Sequence, residues 1–491
     1  MDLETVVKGR WSSQREEDRF VVDDPATGHR LATVQGGGVA EVDAAVRAAH
    51  QGFLAWSRRP PVERGRLLLE VARRIRLHAD ELAELESREN GKPRSQARAF
   101  DLESCIAVFE LFGSLTHEMP GAVRDTGYSL DVTTLQPFGV IGAIIPFNWP
   151  PIHTAGKTAP ALAAGNAVVL KPPEQAPLTI LRLAEIIQSV LPDDVVHVVA
   201  GGGSAGAALA GHPLVRKLSF TGAPTTGVAV SKTAADNLTP TLMELGGKNP
   251  LVVFEDAVLD DAVAAALEGG YFNQGEACTA ASRLLVHRSV HDEVVERLGR
   301  AVAGLRVGRG LDDTTHVGPL VTAAQQRRVL DYIDIGVQEG AVIAAQAKLP
   351  EDPELAKGFY VAPTLFTAVT PDMRVAREEI FGPVVCVLPF DDEAEAVAIA
   401  NNTDFGLVAG VYTADHARAL RVGRGIEAGI VFVNNYNRAV IGTPFGGTKH
   451  SGYGREHAAE TLREFGYSKT MRLPSGMNPV PRWAVVGELL G

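Results

Sequence analysis

Apolar and polar positions divide the chain into a mixed leading segment and two stretches in which short apolar strands alternate with amphipathic helices. Val21-Val22-Asp23-Asp24-Pro25-Ala26-Thr27-Gly28 predicts a strand entering a turn, and Val42, Val46, Ala49 and Phe53 fall at helical spacing within residues 39–55. Residues 62–89, rich in Arg and Glu and ending at Asn90-Gly91, predict one long amphipathic helix with its charges on a solvated face. Residues 100–115 predict another helix, with Cys105 packed as a small hydrophobe. Weak alternation over residues 128–140 reads as a strand or hairpin arm.

From Val140 the rhythm is regular. Val140-Ile141-Gly142-Ala143-Ile144-Ile145 predicts a short buried strand with a proline stop, and Ala167-Val168-Val169-Leu170 a second that runs into Lys171-Pro172-Pro173-Glu174. A helix over 178–191, a strand over 195–199, a glycine loop, a helix over 205–210 and a strand over 217–220 complete a βαβ series, which implies a parallel sheet. Such sheets bind ligands at the carboxyl ends of their strands, where Lys171, Glu174, residues 201–203 and residues 221–227 fall. The rhythm then repeats with strands over 251–254, 283–286 and 429–434 and helices over 259–270 and 291–305, apart from a long connection running to Glu379. The tail from Pro474 is proline-rich and then apolar, a candidate cover for a neighbouring subunit.

A chain of 491 residues predicts two or three domains. Its formal charge of −12 disfavours nucleic acid and anionic membrane as partners. Three cysteines, Cys105, Cys278 and Cys386, are too few for a disulfide scaffold and fit a reducing cytoplasm. The first residues have neither the basic nor the apolar region of a signal peptide. Residues 139–170 carry Lys157 alone as a full charge over a membrane-spanning length, but Pro146, Pro150, Pro151 and Pro160 interrupt any continuous helix, so a buried strand, loop and helix is predicted.

Candidate chemistry centres on Phe272-Asn273-Gln274-Gly275-Glu276-Ala277-Cys278-Thr279, where one thiol sits among residues that make a poor core. Upstream lie Met243-Glu244-Leu245-Gly246-Gly247-Lys248, a carboxylate followed by a glycine pair, and Pro146-Phe147-Asn148-Trp149-Pro150, an amide braced by prolines. A thiol nucleophile, a carboxylate base and an amide donor suffice for acyl chemistry through a thioester. Gly201-Gly202-Gly203-Ser204-Ala205-Gly206 satisfies the dinucleotide fingerprint, but no acidic residue stands about 20 residues further on, which leaves Glu174 as the candidate partner of a ribose. His287 and His291 are spaced i,i+4 but lack a third ligand, so no metal is expected.

Seven blocks in order complete the picture: Pro146-Phe147-Asn148-Trp149-Pro150, Lys171-Pro172-Pro173-Glu174, Phe220-Thr221-Gly222, Glu244-Leu245-Gly246-Gly247-Lys248, Gly275-Glu276-Ala277-Cys278, Glu379-Ile380-Phe381-Gly382-Pro383 and Pro444-Phe445-Gly446-Gly447. Over nearly its whole length the chain resembles the NAD(P)-dependent aldehyde dehydrogenase superfamily, of the hydrolytic, non-acylating type. The resemblance implies an α/β fold with a Rossmann-type cofactor domain over 1–120 and 138–246, an α/β catalytic domain over 247–450, and a small β bridging or oligomerisation element over 121–137 and 451–491. It implies Cys278 as nucleophile, Glu244 as base, Asn148 with the Cys278 backbone N–H as oxyanion hole, and Lys157 in a catalytic role. Cofactor contacts are implied for Ile144, Pro146, Phe147, Lys171, Glu174, Gly202, Phe220, Gly222, Ala223, Glu379 and Phe381, with NAD preferred over NADP because a carboxylate at 174 repels a 2′-phosphate.

The same resemblance implies a substrate tunnel lined by Trp149, His153, Phe272, Thr279, Arg438 and Phe445, made roomy by Gly156 and Ala439; His153 and Arg438 are candidates to meet a polar or anionic tail, the alternative for Arg438 being a solvated place at the mouth. A homodimer or homotetramer is implied. Near the end, Phe465-Gly466-Tyr467-Ser468-Lys469 stands where a second carboxylate is common, which puts an auxiliary base in question. The alternative within the class is a coenzyme A-acylating semialdehyde dehydrogenase, against which Glu244 argues. A cysteine hydrolase and a silent scaffold are the alternatives outside it; the first lacks a supporting histidine motif, and the second is opposed by the presence of both Cys278 and Glu244.

Overall fold

The computed structural model describes residues 6–119, 121–436 and 440–490. Two sheets carry the architecture. In the first, the order is Gly452–Tyr453, Thr241–Glu244, Val215–Thr221, Val140–Ile144, Ala167–Lys171, Val196–Val198. Five of these strands are parallel, and Gly452–Tyr453 runs antiparallel at the edge. The second sheet runs Val342–Gln346, Thr364–Thr367, Val384–Phe390, Arg283–His287, Pro250–Val253, Val408–Tyr412, Ile430–Val433, parallel except for its first strand. The middle strands of both sheets are buried end to end, which is why they read as unbroken apolar runs rather than alternating ones.

A third sheet stands apart. Gly466–Pro474 pairs antiparallel with Ser129–Pro137 from Gly466↔Pro137 to Pro474↔Ser129, and Gly121–Asp125 covers the other edge of Ser129–Pro137. Its strands are mostly exposed, and the helix Ala484–Leu490 beyond it is unburied. No helix among the described residues is long and apolar enough to cross a membrane.

Two stretches differ from the sequence expectation. Residues 62–89 do not form one helix: Pro61–Leu77 and Ala79–Asn90 meet at His78, whose φ of −108° and ψ of 10° break the helical path. Nor are the charges of the second helix all solvated, since Glu86, Glu89 and Asn90 are fully buried, as is Lys92 just past the terminal Gly91. Glu89 accepts the backbone N–H of Leu178 (2.6 Å) and Thr179 (2.7 Å), so it caps the helix Leu178–Gln188 from a neighbouring helix. The long connection before Glu379 is also structured. It holds the helix Ala323–Gln338, begun by the Thr322 side chain accepting from the Gln325 N–H, the edge strand Val342–Gln346 and its neighbour Thr364–Thr367.

Candidate active site

Glu244 is the last residue of its strand, and the two glycines after it explain how strand end and cysteine loop meet. A side chain at Gly247 would lie 2.3 Å from the carbonyl oxygen of Cys278, and one at Gly246 would lie 2.4 Å from Glu379 Oε2. Asn249 then fastens the loop, its Nδ2 donating to the carbonyls of Cys278 (2.8 Å) and Ala280 (2.9 Å).

The approach to Cys278 is strained. Asn273, Gln274 and Gly275 are consecutive left-handed residues with φ of 53°, 49° and 70°. Left-handed backbone costs a non-glycine residue about 1–2 kcal/mol, so this turn persists because its surroundings over-determine it. Asn273 N–H donates to Gln96 Oε1 (3.0 Å), Asn273 Nδ2 donates to the carbonyls of Asn148 (3.2 Å) and Glu276 (2.9 Å), and Gln274 Nε2 donates to Asn90 Oδ1 (3.3 Å). Gly275 is required on two counts, its φ and the 2.3 Å that a side chain would leave to the Gly382 backbone.

Lys92 ties this turn to the amide loop. Its buried Nζ lies 2.8 Å from Glu86 Oε1 and donates to Asp101 Oδ1 (2.8 Å) and to the Asn148 carbonyl (2.8 Å), and it sits 4.6 Å from the centre of the Trp149 ring. Asn90 Nδ2 donates to the Phe147 carbonyl (2.9 Å), so two successive carbonyls anchor the backbone that carries the Asn148 side chain. Burial, then the neighbouring Asp101 carboxylate, holds the Glu86 carboxyl well above its ordinary range. Sequence reading missed this cluster, whose signal was a lysine directly behind a helix-ending glycine. Lys92→Ala strips the compensating cation from Asp101 and is expected to cost ~3–5 kcal/mol, read from urea unfolding curves.

Cys278 lies where two cavities meet. One, apolar, is walled by Phe100, Trp149, Ile152, His153, Gly269, Phe272, Ala277, Thr279, Phe445 and His457. The other is a polar cleft of about 470 Å³ walled by Pro146, Phe147, Asn148, Gly222, Ala223, Gly246, Glu379, Phe381 and Thr221 among others. The thiol, which is partly exposed, lines both. Burial and then the Glu244 and Glu379 carboxylates push it up, while the backbone N–H groups of Cys278 and Thr279 pull the other way. The Glu244 carboxylate is buried with neither oxygen hydrogen-bonded, and burial followed by the charge of Glu456 raises it well above its ordinary value.

Glu456 is fully buried, accepts from Lys157 Nζ (2.9 Å), and lies next to Ser219, to which Lys157 also donates (3.1 Å). Burial works against its ionisation, but the Lys157 ammonium outweighs it and holds the Glu456 carboxyl below its usual range. A second carboxylate, put in question at residues 465–469, stands at 456, carried by a segment whose neighbouring strand Gly452–Tyr453 pairs with Thr241–Glu244.

The other predicted residues divide as follows. Phe147 and Phe381 meet edge to face across the cleft, ring centres 5.8 Å apart. Glu379 accepts the Gly247 N–H at 2.8 Å, and burial lifts its carboxyl to about 7. Ile144 and Phe220 are buried in strands beneath the cleft. Lys171, Glu174 and Gly202 form a group of their own: Glu174 Oε1 lies 2.9 Å from where a Gly202 side chain would begin, and burial lowers Lys171 against the pull of Glu174. Trp149, His153, Phe272, Thr279 and Phe445 share the apolar cavity, whereas Arg438 and Ala439 lie outside the described residues. The room expected from Gly156 is filled: the His457 Nε2 lies 3.1 Å from the position of a Gly156 side chain. Nor does His153 carry a charge toward an anionic tail, because burial followed by Lys157 takes it down to about 3. Among the described residues no group of three or more His, Cys, Asp or Glu side chains is placed to hold a metal; His287 Nδ1 instead contacts Ser289 and His291 Nδ1 contacts Asp292.

The family model described as "Aldehyde dehydrogenase family" matches residues 11–471. The chain belongs to the aldehyde dehydrogenase family. It is 50% identical over 481 residues to an aldehyde dehydrogenase of Didymella fabae, a match covering 98% of this chain and 97% of that one. Among solved structures it resembles PnpE from Pseudomonas sp. WBC-3 (41% identity, TM-score 0.91, covering 93% and 94% of the two chains). It likewise resembles the NAD+ complex of an aldehyde dehydrogenase from Bacillus cereus (38% identity, TM-score 0.90, 93% of each chain). Family membership accounts for the α/β architecture.

Proposed function

We propose that the chain oxidises an aldehyde to its carboxylic acid with NAD through a covalent thioester on Cys278. The observation that carries this reading is the position of Cys278 in the walls of both cavities, so that one carbon bonded to sulfur faces the aldehyde pocket on one side and the cleft on the other. The cleft suits a dinucleotide. Its Thr221 Oγ1 is buried without a partner, and it reaches the start of the twelve-residue helix Pro224–Ala235, whose first turn has no acidic residue to compete with a phosphate. Phe147, Phe381 and Glu379 would hold the nicotinamide end, Gly222 and Ala223 the phosphates, and Lys171, Glu174 and Gly202 the adenosine end. When bound, NAD supplies a cationic ring that accepts the hydride.

The chain's own groups do the rest. Cys278, once its proton has gone to solvent, adds as the thiolate to the carbonyl carbon while Asn148 and the Cys278 N–H hold the oxyanion; one such donor is worth about 3 kcal/mol. Departure of hydride leaves a thioester. Glu244, with no partner of its own, takes a proton from water as that water attacks, and the acid leaves. Lys157 and Glu456 hold a charge pair behind Glu244, and the negative member keeps Glu244 basic. A base so placed favours water over coenzyme A as the acyl acceptor. Because Glu456 raises Glu244, Glu456→Gln is expected to move the acid limb of the kcat–pH profile to lower pH, by about one unit. An unmoved limb in stopped-flow or steady-state profiles counts against the coupling.

NAD is preferred over NADP because Glu174 accepts hydrogen bonds from a ribose diol and repels a 2′-phosphate. Glu174→Gln is expected to raise the NADP/NAD ratio of kcat/KM about fivefold, the scale of one exposed charge interaction. The proposed units are a cofactor domain over 1–120 and 138–246, a catalytic domain over 247–450 and a bridging element over 121–137 and 451–491. The exposed three-stranded arm, marginal by itself, supports a homodimer or homotetramer in which it completes a neighbour. Three unpaired thiols support a cytoplasmic setting. The direct test is NADH absorbance at 340 nm with a panel of aldehydes, with and without coenzyme A.

A further inference from the structure

The apolar cavity contains a polar feature that the chemistry at Cys278 leaves unused. His153 and His457 both line it, are only 5% and 4% exposed, and have no hydrogen bond at either ring nitrogen. The other buried histidines are engaged: His197 accepts from Trp11 Nε1 (3.0 Å), and His212 lies 3.2 Å from Asp43. Unpartnered polar atoms in an apolar setting are unfavourable unless a ligand completes them.

The backbone is bent to keep one of these rings in place. His457 has a left-handed φ of 66° and its carbonyl accepts the Gly442 N–H (2.8 Å), while Gly156 provides the space its ring occupies. Burial lowers both imidazoles, so each is neutral and offers one donor and one acceptor. That pair matches a hydroxyl, which both donates and accepts, better than a carboxylate, which only accepts and would also meet the charges of Glu244 and Glu456.

Four aromatic rings make up much of the remaining wall. Trp149 and Phe272 stack at 5.9 Å with 22° between their planes, Phe100 stands edge-on to both, and Phe445 stacks on His457 at 5.4 Å and 28°. Parallel faces of this kind favour a planar ring over a branched chain.

We propose that the preferred substrate is an aromatic aldehyde bearing a hydroxyl group, and that His153 and His457 are the residues that recognise that hydroxyl. This rests on the assignment of the Cys278 pocket as the aldehyde site.

The test compares kcat/KM of the NAD-loaded enzyme for benzaldehyde, the three monohydroxybenzaldehydes and glycolaldehyde. At least one hydroxybenzaldehyde is expected to exceed benzaldehyde by about tenfold or more, since a site built to hydrogen-bond a hydroxyl rejects the analogue lacking it. In His153→Phe and His457→Phe that ratio is expected to fall toward one, whatever the absolute rates. All three isomers within about twofold of benzaldehyde, or glycolaldehyde preferred over every aromatic aldehyde, overturns the inference and leaves the dehydrogenase reading standing. No oxidation of any aldehyde by folded protein removes that reading itself. Calorimetric binding of the same aldehydes to Cys278→Ala gives a readout independent of turnover: tighter binding of the favoured hydroxylated isomer supports the proposal, and equal affinities refute it.

Discussion

Replacement of Cys278 by Ala is expected to reduce NADH formation by on the order of 10⁴-fold or more, because no other group in the site can form the covalent intermediate. At 1.36 kcal/mol per decade this is ~5 kcal/mol of lost transition-state stabilisation. Cys105 and Cys386 cannot stand in. Both are fully buried, both thiols are pushed up first by burial, and Cys386 is further committed by donating its S–H to the Val375 carbonyl (3.3 Å). The same contrast predicts selective chemistry: iodoacetamide modifies one thiol per folded wild-type chain and none in Cys278→Ala. Mass spectrometry of the labelled protein checks this. Labelling of Cys105 or Cys386 in folded protein, or retention of activity by the alanine variant, would remove Cys278 from the role of nucleophile.

Strands of the two parallel sheets were legible because burial on both faces writes an unbroken apolar run, as in 140–144 and 250–253. The site residues most readily found were those bound to backbone requirements: glycines beside Glu244 because strand and loop must touch, and Gly275 because its φ is positive. What could not be read depends on tertiary partners. Nothing local at His78 marks a helix break, and the charged helix Ala79–Asn90 gives no sign that its Glu86 faces a buried lysine from the following loop. Gln274 and Asn273 have no intrinsic preference strong enough to announce a left-handed turn; the side chains of residues 90 and 96 and the backbone carbonyl of Asn148 impose it. Glu456 and His457 lie outside every block that carried the resemblance, and only the fold shows that they stand behind Glu244 and Gly156.

Glu244→Gln is expected to separate the two halves of the reaction. The substitution keeps the shape of the side chain but removes the group that takes the proton from water, so thioester hydrolysis falls by ~10²–10⁴-fold, the usual contribution of a general base. Formation of the thioester should not suffer. After burial, Glu244 is the strongest influence opposing ionisation of Cys278, so neutralising it lowers the thiol pKa and makes the thiolate more available at a given pH. Stopped-flow mixing with NAD and aldehyde should then show a burst approaching one NADH per subunit, followed by a slow steady state. Two further readings follow from the same charge argument. The pH dependence of Cys278 alkylation moves to lower pH in the variant, and added hydroxylamine, which attacks a thioester without a protein base, restores turnover after the burst. Loss of the burst itself, with alkylation unshifted, would place Glu244 in the first half of the reaction and require another group to activate water; Glu456, buried on the far side and paired with Lys157 at 2.9 Å, would then be the residue to replace next.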